Sequence, residues 1–272
     1  MLAHLFIACS FFIGIIFTNP IKDSIDYELL GGGVEGDMFF PDGYDPTKSH
    51  SDAKGVAAYG NRLWPNNVVP YDLSSIIDAG HRSIVLQAID ALMNATSTII
   101  PGTTTRKPCI TIRPRTASDP VFVKIQYGTG CSASVGYGSG TRSMTLENPG
   151  CFRSGTIQHE FLHSLSTYYS KLFIGIYHEQ SRPDRDEYIT VNYANMDPSK
   201  THNFNKYVWG STALNQNTPY DYGSIMHYSA SGFSNNGLPT ITPKDPNAKI
   251  GQRVSLSAID IAEVRALYKC SS

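Results

Sequence analysis

The sequence predicts an α/β fold from about Ala57 onward, on three observations. Apolar-rich stretches of strand length recur at Trp64 to Tyr71, Cys109 to Arg113, Val121 to Tyr127 and Ser143 to Glu147. Between the first two, Ser83 to Ile99 carries Ile84, Ala88, Ala91 and Leu92, a spacing that suits an amphipathic helix. Two more helices are expected, at Thr156 to Leu165 and at Ala258 to Tyr268, the last with Ser255 or Ser257 as its cap. The Gly- and Ser-rich stretch Cys131 to Gly140 reads as loop, and so does most of the chain between the second and third helices. There is no internal repeat, and the two serines after Cys270 lead to the expectation of no accessory domain.

Composition narrows the class. In 272 residues, 41% hydrophobic and 17% charged content suits a globular chain and not a disordered one. A net charge of -1 with no long basic run gives no reason to expect nucleic acid or an anionic membrane as partner. Leu5 to Phe17 is almost wholly apolar, too short for a comfortable span, and reads as part of a signal peptide over 1–18, hence secretion. It lacks a preceding Lys or Arg and a small-x-small cleavage site, so a retained anchor stays as the alternative. Residues 19–56 are polar and interrupted by Gly31-Gly32-Gly33 and Pro41-Asp42-Gly43, which suggests an extended segment ahead of a domain over 57–272. Cys9 would leave with the signal. Cys109, Cys131, Cys151 and Cys270 remain, enough for two disulfides by any of three pairings. Asn94-Ala95-Thr96 is a glycosylation acceptor.

The chemistry concentrates in His159-Glu160-Phe161-Leu162-His163. On a helix, positions i and i+4 lie on one face a turn apart, so two imidazoles there hold one zinc ion. Glu160, beside the first imidazole, has the reach to take a proton from water at the metal. Downstream stand Gly175-Ile176-Tyr177-His178-Glu179-Gln180-Ser181-Arg182-Pro183-Asp184-Arg185 and Ser224-Ile225-Met226-His227-Tyr228.

These motifs, in this order, resemble the astacins, a branch of the metzincin zinc endopeptidases, over about Trp64 to Cys270. Cys109 to Arg115, Gly130 to Gly136 and Gly155 to His159 carry the likeness further. The resemblance implies a zincin fold, α/β (α+β) in class. Its upper half holds a twisted, mostly parallel sheet and the active-site helix; its lower half is loop-rich and ends in the C-terminal helix. It implies one zinc ion on His159, His163 and His178, Glu160 as general base, and Tyr228 as a tyrosine that turns between the metal and the transition-state oxyanion. Met226 would lie beneath the metal, and Glu179 would receive the buried N-terminus of the processed chain. The implied disulfides are Cys109–Cys270 and Cys131–Cys151. Val34-Glu35-Gly36-Asp37 is similar to a pro-segment element whose Asp reaches the zinc, which makes Asp37 the latency switch. An activating protease would cut near Ala57 or Ala58. The implied substrate is a protein or peptide bound in extended form.

One departure bears on activity. The family places its third His six residues after the second, whereas His178 lies fifteen after His163. The nine residues Ser166 to Ile174 interrupt the match, and Tyr169 holds the third-ligand position by count. A continuous helix would carry His178 about 22 Å beyond His163. Either the helix ends near Leu165 and the insert loops out, or the third ligand is lost. Because Tyr, Lys, Leu, Phe and Ile have AT-rich codons, an unspliced intron is a further reading. The rival functions are a secreted, inactive binding protein that keeps the cleft, and a different zinc hydrolase such as an amidase.

Overall fold

In the computed structural model, which describes residues 26–40, 63–169, 172–174, 176–209 and 217–270, one sheet runs through the upper half of the molecule. In chain order the strands are β1 (Met38–Phe39), β2 (Val68–Asp72), β3 (Thr98–Ile99), β4 (Arg106–Lys107), β5 (Thr111–Pro114), β6 (Val123–Tyr127), β7 (Cys131–Ser134), β8 (Arg142–Leu146), β9 (Thr167–Tyr169), β10 (Leu172–Ile174), β11 (Ile189–Val191) and β12 (Ile241–Pro243). The α-helices are α1 (Ala79–Thr96), α2 (Ser154–Leu165) and α3 (Ala258–Leu267). The six-stranded sheet has the order β1-β7-β8-β6-β2-β5. β5, β2, β6 and β8 are mutually parallel, β7 is antiparallel to β8, and β1 lies parallel on the outer edge of β7.

Helix α1 begins earlier than its apolar pattern suggests, because Asp78 accepts the backbone N–H of His81 at 2.8 Å and caps it. Its buried stripe is Val85, Ala88, Ile89 and Leu92; Ile84 is half-buried and Ala91 exposed. That stripe packs on α2, whose residues Gly155 to Leu165 are all buried. A helix this enclosed needs partners for its last carbonyls. The Trp64 indole N–H donates to Ser164 O at 2.8 Å, and the Tyr268 hydroxyl to Leu165 O at 2.8 Å. Helix α3 starts with a capping box between Ser257 and Asp260.

The sequence reading is corrected at two places. Cys131 to Ser134 is a strand with all four side chains buried, not loop. The glycines that suggest a loop flank it: Gly130 and Gly136 have φ of 68° and 67° and turn the chain at either end. Residues 26–40 are not a loose extension. They form a single 3₁₀ turn at Tyr27–Leu30, a tight reversal at Gly33 to Gly36, and β1. Of the two readings open for the insert, the structure takes the first: α2 ends at Leu165, and β9 and β10 pair as an antiparallel hairpin, Thr167 opposite Ile174.

A second, smaller core of Ile189, Met196, Phe204, Tyr220, Tyr228 and Ile241 forms the lower half, with β11 paired to β12. Disulfides join Cys109 to Cys270 and Cys131 to Cys151. Among the described residues, no helix is long and apolar enough to cross a membrane. The expected signal peptide, Cys9, Gly175 and the cleavage site near Ala57 lie outside the described residues.

Candidate metal centre

His159 and His163 face the same way from consecutive turns of α2, with Nε2 atoms 3.1 Å apart. His178 joins them, its Nε2 3.3 Å from that of His159. It reaches them because the chain reverses at the hairpin, whose two ends are clasped by one side chain. The Ser166 hydroxyl donates to Leu162 O at 3.0 Å and accepts the Ile176 N–H at 3.0 Å. A hairpin closed at its base leaves His178 in the same place whatever its length. Residue 169, the third-ligand position by count, is in β9.

The fourth donor is Asp37. Its carboxylate lies 3.1 Å from His159 Nε2, 3.2 Å from His178 Nε2 and 3.4 Å from His163 Nε2. All four residues are fully buried. Four donors set tetrahedrally about one zinc at about 2.0–2.1 Å stand roughly 3.3–3.4 Å from each other, which matches these spacings. The ring chemistry agrees. His159 Nδ1 meets the Ile225 carbonyl at 2.9 Å, which can only accept, so Nε2 presents its lone pair to the centre. His178 Nδ1 lies 2.7 Å from Glu35 Oε2. Burial pushes the His163 imidazole down to about 4, the neutral form that binds metal. At His178 burial acts the same way, but the Asp37 and Glu35 carboxylates outweigh it and push the ring up to about 10. The negative charge that would hold a proton there favours a metal cation. Asp37 itself is held well below the usual carboxylate range: burial opposes this, and His178 and His163 overcome it. Three imidazoles and one carboxylate fit zinc.

Glu160 is wholly buried, and neither carboxylate oxygen has a hydrogen-bond partner among the described residues. Burial, with Asp37 and Glu28 close by, pushes its carboxyl well above the ordinary range. An unpaired buried carboxylate costs stability and so calls for a function.

The remaining predicted residues surround this group. The Tyr228 ring lies tilted against His178, ring centroids 4.7 Å apart, and its hydroxyl donates to the Glu35 carbonyl. Met226 is buried in the main core. Asp260 fixes the turn that carries both: it accepts the Ser224 hydroxyl at 2.6 Å and the Ile225 N–H at 3.0 Å. The Glu179 carboxylate accepts the Asp221 N–H at 2.7 Å and lies 3.4 Å from Arg182. Asn94 is exposed in the last turn of α1.

Four contributors escape the sequence reading. Glu35 sits inside a motif that the sequence singles out, so its position is a usable signal. Ser166 stands out only as part of the insert. Glu28 and Arg253 are 225 residues apart and carry no local sign of their pairing. The Arg253 Nε lies 2.7 Å from Glu28 Oε1, and its Nη2 also pairs with Glu28. Nη1 donates to His227 O at 3.0 Å. Glu28 Oε2 is 3.9 Å from His159 Nε2, so this ion pair adjoins the centre. The loop bearing Arg253 lies so close to α2 that a Cβ at Gly155 would strike the Arg253 carbonyl.

A profile of the peptidase family described as Astacin matches residues 56–269. Protein SpAN of Strongylocentrotus purpuratus is 34% identical over 271 residues, 94% of this chain and 40% of its own length. Zinc metalloproteinase nas-14 of Caenorhabditis elegans is 36% identical over 228 residues, 82% of this chain and 40% of its own length. The chain thus spans about two fifths of the length of these relatives. In three dimensions it is similar to High choriolytic enzyme 1, a hatching enzyme zinc-protease from Oryzias latipes. The TM-score is 0.64 at 35% identity, covering 78% of this chain and 95% of that one.

Proposed function

The chain belongs to the astacin family, and from that premise we propose that it is a zinc-dependent endopeptidase held latent by its own residues 19–56. Secretion follows in this reading from a signal over 1–18, and an activating protease cuts near Ala57. One observation carries the activity: three imidazoles converge on a point beside a buried, unpartnered Glu160. A metal site needed only for structure has no use for that carboxylate.

Zinc, when bound on His159, His163 and His178, supplies Lewis acidity and an acidified water. The protein's own groups do the rest. Glu160 accepts the proton and passes it to the leaving amine. Tyr228, released from the Glu35 carbonyl once the pro-segment has gone, donates its hydroxyl to the developing oxyanion. The sheet edge at β7, covered in the structure by β1, receives the substrate as an added strand. Arg253 sets a preference beside the scissile bond. When Glu28 leaves, a partly buried guanidinium next to the centre is left without its carboxylate, and an acidic substrate side chain is the group that restores the pair.

The test uses the full precursor, activated by removal of the pro-segment. It should bind one zinc and cleave casein, and cleave peptides with Asp beside the scissile bond better than peptides with Asn. Glu160→Ala should lower kcat by about 10²–10⁴ with zinc content unchanged. Zinc binding without any cleavage by the unaltered chain would favour the rival, a binding protein that keeps the cleft.

A further inference from the structure

The part of the pro-segment beside the centre is a cast of the cleft it fills. Glu28 occupies the place of an acidic substrate side chain on Arg253. Its neighbour Tyr27 occupies a different surface. A Cβ built on Gly150 would fall inside the van der Waals envelope of three atoms of the Tyr27 ring, so the ring lies directly on the Gly150 backbone. Any residue larger than glycine would push it off. Cys131, tied to Cys151, flanks the contact, and Tyr27 packs from there against the main core. Gly150 and Arg253 share the lining of one recess of about 230 Å³, walled on its other side by Asp26, Tyr27 and Glu28 of the strip.

We propose that Gly150 is the floor of a substrate subsite for an aromatic side chain, one or two residues beyond the acid that meets Arg253. The proposal rests on the peptidase reading above. Three features argue for an aromatic occupant. The face is flat because glycine presents only backbone. It lies beside the Cys131–Cys151 disulfide, with Cys131 in the lining of the same recess. It already accepts a phenol ring in the latent chain, with the phenol of Tyr27 only half-buried and its outer end able to stay wet. Distance from the metal sets the order. Glu28 is 3.9 Å from a ligand nitrogen, and Tyr27, the preceding residue, extends away from it toward Gly150. A substrate therefore reads outward from the scissile bond as acid first, aromatic next.

The test is a matched set of peptides cleaved by the activated full-length protein, each with Asp beside the scissile bond and Tyr, Phe, Leu or Ala at the next two positions. Burial of one aromatic side chain predicts kcat/KM on the order of tenfold higher for Tyr or Phe than for Ala. In Gly150→Ala the Tyr-to-Ala ratio should fall to about one. In Arg253→Gln the Asp-to-Asn preference should fall and the Tyr-to-Ala ratio should persist. If Gly150→Ala does not fold, the unaltered protein decides alone, since a Tyr-to-Ala ratio of one overturns the subsite. Cleavage with acid preference and no aromatic preference sinks the subsite and leaves the peptidase reading standing. No cleavage of any peptide sinks both.

Discussion

Helix α2 and the strip 26–40 both deliver donors to one point, and they are held there by different forces. The helix supplies two imidazoles and is enclosed by apolar packing, with Ile157, Phe161, Leu162 and Leu165 fully buried in the main core. The strip supplies Asp37 and buries only Met38 and Phe40 of its apolar side chains, with Tyr27, Leu29 and Val34 partly buried at the margins of the cores. What fixes it is polar: Glu28 on Arg253, Glu35 on His178, the Glu35 carbonyl under Tyr228, and two residues of strand pairing along β7. Apolar burial makes a permanent part of a fold, whereas contacts of charge and hydrogen bond with functional groups make a removable one. In the proposed activation, cutting the strip free releases each of those groups for use on a substrate.

The largest way to break the contrast is at the ion pair. Glu28→Gln leaves the largely buried Arg253 cation without a counter-charge, at a cost of up to about 3–5 kcal/mol, and the cost falls on attachment of the strip. Hydrogen exchange over residues 26–40 should quicken strongly in the variant precursor while exchange in α2 stays slow. Equal quickening in both would show that the strip and the helix are one cooperative unit.

The second test concerns Glu35. A carboxylate on the far nitrogen of a ligand imidazole orients the ring and strengthens its donation, and losing such a partner weakens metal binding by about 10–100-fold. Here that partner belongs to the strip that the proposed activation removes. Glu35→Ala in the precursor is expected to weaken zinc binding within that range, and the same substitution to have no effect on zinc binding once the strip is removed. An unchanged zinc affinity in the precursor would rule out a role for Glu35 at His178.

How far the site can be read from sequence follows the same division. His159, Glu160 and His163 are plain because a helix places i and i+4 together without help from the rest of the fold. His178 is open in the sequence because nine extra residues precede it, and its position depends on where the helix ends. Ser166 decides that, and a lone serine after a helix carries no sign that its hydroxyl will clasp Ile176. The strand Cys131–Ser134 reads wrongly because small residues that pack closely at a buried edge have the composition of a loop. The pairing of Glu28 with Arg253, and the anchoring of Ser224 and Ile225 by Asp260, are long-range contacts between residues of ordinary type. Other parts of the upper half, by contrast, are legible through period, since β6, β8 and α1 bury their side chains in regular order.

The third test asks whether the hairpin base is as firm as the helix it leaves. Ser166→Ala strands the buried Ile176 N–H, at a cost of about 1–3 kcal/mol. The thermal midpoint should fall, and zinc binding should fall with it, because His178 lies two residues beyond Ile176. A variant that loses stability but keeps full zinc affinity would mean that His178 is placed by Glu179 and the Met226 turn instead.

The last test lies outside the centre, in the lower half, and acts on stability alone. Glu263, on α3, is pushed up to about 7, first by burial and then by Asp260 and Asp221, against the Thr218 hydroxyl and Arg182, which favour its charge. In the unfolded chain it titrates near 4.5. Between those values the folded chain holds a proton that the unfolded chain has released. The contribution is therefore complete at low pH and is lost as pH rises toward 7, with a slope approaching about 1.4 kcal/mol per pH unit. Glu263→Gln, which keeps an acceptor for Thr218 and carries no charge, should flatten this part of the stability curve and raise stability above pH 7. Unfolding by denaturant at pH 5 and pH 8 measures it. A pH dependence that survives the substitution would move the cause to Glu179, whose carboxyl is pushed up in the same way by burial and by Glu263 itself.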